Sequence, residues 1–360
     1  MFAYWLLFLV PAYLALSRLR PIPQIALSVR RDRWPNEWRG MFFIFVFMIG
    51  LRHEVGADWY TYILQLEYWV QNPFHNIFNR DFSYSLLEWI GVNIAGGIYF
   101  VNLICAVFFT WGVFSFCLEQ PRPSLALVVA VPVFIIIAAM GYTRQGVAIA
   151  IAMRGFLALG QSNSLRFLFY IALAATFHES SLILVPLVVL VNKQKRIFTL
   201  LLIGLALLIM SFWLLGDRFA IWSSYYFGTR MESTGALMRV VLNAVPAALF
   251  LVFRKRFQLS PGQRTFWTWM AWGALLLVVA VKILPSSTVV DRVALYWIPL
   301  QMFVLSRLPN ALGRRDGKNA LWVCGVVAYS AAILFVWLFF GVHSEYWLPY
   351  QFYPWVWLWQ

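Results

Sequence analysis

Residues 319–342 read NALWVCGVVAYSAAILFVWLFFGV, without a single charged side chain. The stretch exceeds the roughly 20 residues a helix needs to cross a bilayer core. Backbone polar groups in lipid must bond within their own segment, so a run like this is a spanning helix. Similar apolar runs lie at 2–17, 36–52, 98–117, 124–141, 144–160, 166–177, 179–192, 197–215, 238–253, 265–284 and 290–306. The short alternating segments of a membrane β-barrel are missing. The expected fold is therefore an all-α polytopic membrane protein of about 12 transmembrane helices, one integral domain over residues 1–360. The runs 166–177 and 179–192 are each short for a crossing. They read as a hairpin around His178, as a pair in a thinned region, or as one long helix.

Composition agrees with this reading. Of 360 residues, 62% are hydrophobic and 12% charged, where soluble domains run nearer half and a quarter. This excludes a soluble enzyme, a disordered chain and a secreted disulfide scaffold, but not an enzyme working within a membrane. The 28 basic against 14 acidic residues would suggest nucleic acid in a soluble chain. Here the basic residues sit in loops between apolar runs, and no nucleic-acid partner is expected. Cys105, Cys117 and Cys324 lie inside apolar runs and read as small buried hydrophobes. The run at Met1–Leu16 lacks a leading positive charge and reads as a retained crossing rather than a signal peptide.

Charge placement settles the topology. With twelve crossings and an outer N-terminus, one side holds Arg18, Arg20, Arg30, Arg31, Arg33, Arg39, Arg122, Arg166, Lys193, Lys195, Arg196, Arg254, Lys255, Arg256, Arg264, Arg307, Arg314, Arg315 and Lys318. The other keeps Arg52, Arg80, Arg144, Arg218, Arg230, Arg239, Lys282 and Arg292, while Arg154 lies within a helix and is read as snorkelling. This asymmetry follows the positive-inside rule. Merging the two short runs would spoil it, so the hairpin is kept and both termini are placed outside. The outer side then carries the loops 53–97 and 216–237, the tail 343–360, and all four histidines. Phe82–Ile94 shows apolar positions at helical spacing and reads as a helix along the interface.

The chain has no P-loop, no GxGxxG, no GxSxG, no HExxH and no Asp-x-Asp pair. These absences argue against an ATP-driven pump, a zinc protease and a metal-dependent nucleotide-sugar transferase; no metal or cofactor is expected. Three clusters could carry chemistry. Arg144, Arg239 and Arg292 are placed near the first turns of helices starting at the outer face. Guanidinium beside free helix N–H groups makes a phosphate site. Each arginine has a plainer reading: it snorkels to headgroups or pairs with a neighbour, as Arg292 could with Asp291. In residues 51–62, LRHEVGADWYTY, Arg52, Glu54 and Asp58 leave the bilayer together. Gly56 permits a turn, and Asp58 either caps a helix bearing Trp59 and Tyr62 or serves as a proton acceptor beside aromatic faces. At 177–181, FHESS, His178 is a base, a phosphate donor or a satisfied structural histidine.

These elements resemble the EpsG family of Wzy-type bacterial exopolysaccharide and O-antigen polymerases. The resemblance rests on RHEVGADWYTY at 52–62, YTRQGVA at 142–148 and FHES at 177–180, with DRVALY at 291–296 and WLPY at 347–350 as looser matches. Glu179 departs from the proline or small residue expected after the histidine. The resemblance implies a bacterial inner-membrane glycosyltransferase with its active face in the periplasm. Its substrate would be oligosaccharide repeat units on polyprenyl pyrophosphate, with the growing glycan passed to the non-reducing end of an incoming unit. A chain-length regulator and a flippase of the same pathway would be partners. On this reading Asp58 is the first choice as base, then His178, then Glu54. Arg144 and Arg292 hold the pyrophosphate, Arg52 and Arg239 support them, and Trp59, Tyr60 and Tyr62 hold sugar. A flippase for the same lipid-linked substrate, an O-antigen ligase and a purely structural subunit are the competing readings.

Overall fold

The computed structural model describes residues 1–22, 34–72, 81–94, 96–191, 233, 235–284, 286–314 and 317–358, together with Gly204. The first half contains α1 (Phe2–Ser17), α2 (Asn36–Gly50), β1 (Arg52–His53), α3 (Trp59–Gln71), α4 (Phe82–Asn93), α5 (Gly97–Leu118), α6 (Pro123–Ala130), α7 (Thr143–Gly160), α8 (Ser164–Phe177) and α9 (Leu187–Val191). The second contains α10 (Ala236–Phe253), α11 (Pro261–Ile283), α12 (Ser287–Ala294), α13 (Ile298–Leu312), α14 (Ala320–Phe340), β2 (Gln351–Phe352) and α15 (Tyr353–Leu358). Among the described residues, five helical stretches are long and apolar enough to cross a membrane: Gly97–Leu118, Ala236–Arg256, Pro261–Ile283, Ser287–Leu312 and Ala320–Phe340. Phe2–Ser17, Pro123–Ala139, Ser164–Phe177 and Glu179–Val191 are shorter apolar helical stretches. The protein is thus an all-α, multi-pass membrane bundle. The expected crossing at 197–215 and nearly all of the loop 216–237 lie outside the described residues, as do Lys193, Lys195, Arg196, His75 and Arg80.

Side-chain contacts show the helices alternating between two ends. At one, the start of α1 meets residue 347 and the end of α2 meets the start of α7, with the end of α8 and the starts of α10 and α12 nearby. At the other, Arg122 donates to the carbonyls of Leu19 and Gly317 and to Asn310, and Ser260 bonds the Gly160 carbonyl. The first is called the Arg144 end and the second the Arg122 end. Helices α6 and α7 form the centre, nearly all their side chains being buried. Pro132 lacks an N–H, and over Val131–Ala139 the chain that continues α6 winds as a π-helix before the turn into α7.

The described parts of 53–97 are largely helical. Asp58 stands at the N-cap position of α3, and Asp81 at that of α4. After α8 the chain turns extended at His178, takes 3₁₀ turns over Glu179–Leu184, and resumes helix only at α9. The break expected at His178 is present, while the uniform helix expected over 179–192 is not; Pro186 lies just before α9. Cys324 is exposed, unlike the buried Cys105 and Cys117. Its apolar helix presents side chains outward, which apolarity alone does not distinguish from burial.

Residues 346–353 clasp the Arg144 end. Trp347 is buried, donates its indole N–H to the Ile136 carbonyl at 2.8 Å, and accepts from the Tyr4 hydroxyl through its own carbonyl at 2.6 Å. Tyr350 donates to the Met48 carbonyl at 2.7 Å, and β2 pairs antiparallel with β1. Two glycines allow this. Gly56 has φ +110°, and a Cβ there would lie 2.1 Å from the Met140 carbonyl oxygen. A Cβ on Gly141 would lie 2.6 Å from the Trp347 ring. Gly56→Ala is expected to destabilise the protein by about 3 kcal/mol through backbone strain and overlap. Thermal unfolding in detergent should show the loss.

Candidate active site

The polar groups at the Arg144 end come from segments distant in sequence. Asp81 is their hub. It is buried, with φ +27°, and its carboxylate turns away from its own helix instead of capping it. Oδ2 lies 3.2 Å from Arg144 Nη1 and 3.4 Å from His178 Nδ1, and Oδ1 accepts the Glu179 backbone N–H at 3.1 Å. The extended backbone at His178 is what brings both this N–H and the imidazole to one carboxylate. Arg144, in the first turn of α7, also lies over the rings of Tyr62 at 5.8 Å and Tyr84 at 5.6 Å. Next to His178, Ser180 hydrogen-bonds the Tyr296 hydroxyl at 2.9 Å.

Asp58 faces the same charges. Burial pushes its carboxyl above the ordinary value, and Arg292, Arg144 and His178 pull it partly back. Asp81 goes the other way. Burial would raise it, but the His178 hydrogen bond and charge, Arg144 and the Glu179 N–H together hold it below the ordinary range. The two carboxyls are thus pushed in opposite directions by surroundings that share Arg144 and His178.

Arg292 lies 4.1 Å from the centre of the Tyr142 ring and belongs to no ion pair among the described residues. Its backbone carbonyl accepts from Gln145 Nε2 at 2.6 Å, tying α12 to α7. Arg292 occupies the last turn of α12 rather than the first turn of a helix, so helix N–H groups do not surround it. Asp291 pairs with Arg239, not Arg292; Arg239 Nη2 reaches Asp291 Oδ2 at 2.5 Å and Nε reaches Oδ1. Residues adjacent on a helix point apart.

Arg52 is 0% exposed. Its guanidinium donates to the Ile49 and Val55 carbonyls, Asn102 Oδ1 and Thr143 Oγ1. It is an internal brace under the site, with no access to a ligand. Glu54 is exposed on a left-handed turn with φ +51°. Of the three aromatics expected to face sugar, only Tyr60 is open, at 61% exposed. Tyr62 is 2% exposed beneath Arg144, and Trp59 is buried against His53 and Tyr99. His53, Tyr99 and Tyr353 form a half-buried aromatic group at the clasp, with Tyr99 and Tyr353 stacked at 3.6 Å. Tyr99 and Tyr353 carry no motif, and neither they nor Asp81 stands out in the sequence.

Fold and site together define an all-helical membrane protein with buried, mutually coupled acids and guanidinium groups gathered at one end of the bundle. The chain belongs to the EpsG family, whose model matches residues 38–352 and so takes in every charged residue of the site described above. Members are membrane proteins linked to polysaccharide synthesis. No curated protein and no solved structure matches the chain.

Proposed function

We propose that the protein polymerises polysaccharide, transferring a growing glycan from polyprenyl pyrophosphate to the non-reducing end of an incoming lipid-linked repeat unit. The observation that carries this reading is the placement of Asp58, with its raised carboxyl, in the field of Arg292, Arg144 and His178. An acceptor hydroxyl oxygen attacks the anomeric carbon of the donor glycan, and its proton passes to the Asp58 carboxylate. The bond from that carbon to the pyrophosphate oxygen breaks, and the pyrophosphate leaves with the electron pair. Arg292, which has no carboxylate partner among the described residues, and Arg144, aimed by Asp81, stabilise that charge. His178 is the second candidate base; its Nδ1 faces Asp81. Glu54 ranks third. Arg52 and Arg239 act through structure, the first as a brace and the second through Asp291. Sugar contacts fall to Tyr60, with Tyr99 and Tyr353 as additions.

The donor is already activated, so the reaction needs no nucleotide. The active end faces the periplasm across the bacterial inner membrane, since the basic loops gather at the other end. A flippase supplying the substrate and a chain-length regulator are the expected partners. The test is purified protein with synthetic lipid-linked repeat units, without metal or nucleotide, read as a ladder on a gel. Arg292→Ala should abolish the ladder while protein level and single-repeat lipid-linked product stay intact. A normal ladder from that variant removes Arg292 from the pyrophosphate site.

A further inference from the structure

A second polar junction lies toward the Arg122 end. Apart from Arg144, Arg154 is the one charged residue of α7. It sits about 9 Å inside the end of that helix at 1.5 Å per residue. Instead of snorkelling freely, its guanidinium lies 5.3 Å from the Trp111 ring of α5 and 5.9 Å from the Tyr170 ring of α8. Arg166, in the first turn of α8, lies 6.0 Å from the same Tyr170 ring, so the ring stands between the two cations. Gly155 lets α8 approach this closely, since a Cβ there would meet Phe167 at 3.2 Å and Tyr170 at 3.4 Å.

Neither cation has a carboxylate partner among the described residues, whose ion pairs are Arg18–Glu37, Arg144–Asp81, His178–Asp81 and Arg239–Asp291. Arg154 Nε is buried and has no acceptor. Ring faces attract a cation but do not satisfy its N–H groups. The outer side of the junction is apolar and open, with Leu165 and Phe169 exposed. A guanidinium held between helices with an unsatisfied Nε–H, beside a second, exposed guanidinium and bordered by exposed apolar side chains, calls for an anion that arrives along the membrane.

We infer that the α5–α7–α8 junction binds the phosphate of an anionic lipid. The guanidinium forks match phosphate oxygens, the phenol adds a hydrogen bond, and Leu165 and Phe169 line the path of the lipid chains. The site is separate from the Asp58–Arg144 cluster and does not depend on the proposed polymerase activity.

The test is native mass spectrometry of the full chain in an uncharged detergent, titrated with phosphatidylglycerol, phosphatidylcholine or a polyprenyl monophosphate. An anionic lipid should bind at least about tenfold more tightly than phosphatidylcholine, consistent with a charge-assisted hydrogen bond. Arg154→Gln with Arg166→Gln should remove that preference, and Arg264→Gln, a cation elsewhere on the same side, should leave it. Tighter polyprenyl monophosphate assigns the site to a pathway lipid, and tighter phosphatidylglycerol assigns it to bulk lipid. If the double variant does not fold, exposed Arg166→Gln alone should weaken binding in the same direction. Equal binding of phosphatidylcholine by the wild type, unchanged binding by the variants, or an equal loss in Arg264→Gln overturns the inference.

Discussion

Asp58→Asn should lose polymer synthesis by about 10²–10⁴-fold while making the protein more stable. Both halves follow from one observation, the raised carboxyl of Asp58. A group whose pKa is raised by folding stabilises the native state while protonated. That contribution is lost as pH rises through the folded value, so the ionised form weakens the fold at neutral pH. Asparagine removes the charge and the penalty together, and with them the proton acceptor. In the wild type, activity should fall on the acid side with a midpoint above the ordinary 3.8, because only the ionised carboxylate takes the proton. Thermal unfolding at neutral pH and the gel ladder across pH read the two halves separately. Full activity in Asp58→Asn excludes it as the base; lower stability with lost activity would make its role structural.

Arg144→Ala should cost both activity and stability. Loss of a preorganised donor to developing negative charge is worth about 10²–10³ in rate. Its removal also leaves the buried Asp81 carboxylate with only His178 and the Glu179 N–H, a change of about 3 kcal/mol for a broken buried pair. Arg144→Lys separates the two effects. Lysine restores a positive charge near Asp81 but cannot present a planar fork to phosphate while lying over Tyr62 and Tyr84. The lysine variant should therefore recover much of the stability and little of the ladder. A lysine variant as active as the wild type would show that charge alone suffices at this position.

Much of the bundle is legible in sequence because the bilayer demands long apolar helices, and 97–118 and 320–340 are such stretches. The break at His178 was legible from helix length and charge asymmetry. The site was legible in its parts but not in its pairings. Asp81 precedes a helical pattern and belongs to no motif; its partners, Arg144 and His178, are 63 and 97 residues away. Tyr62 reads as a sugar platform because the motif does not reveal which face α3 buries. Arg292 seemed to open a helix because the apolar run begins near it, whereas α12 starts at Ser287 and a 3₁₀ turn at Leu295–Trp297 separates it from α13. Arg52 looked like a ligand-binding cation because a charge at a membrane edge invites that reading. Its four acceptors come from three separate stretches that only the folded chain assembles.

The clasp bears on when the Arg144 end is completed during synthesis. Residues 346–353 close over 48–56 and Ile136, which lie 211 residues away at Ile136 and 302 at Met48. A ribosome translating this protein has already made α1 to α14 before the stretch that seals the Arg144 end emerges. Partially made chains, or chains cut before Trp347, therefore carry the charged residues of the site without the frame that holds Arg52 and the 51–58 turn in place.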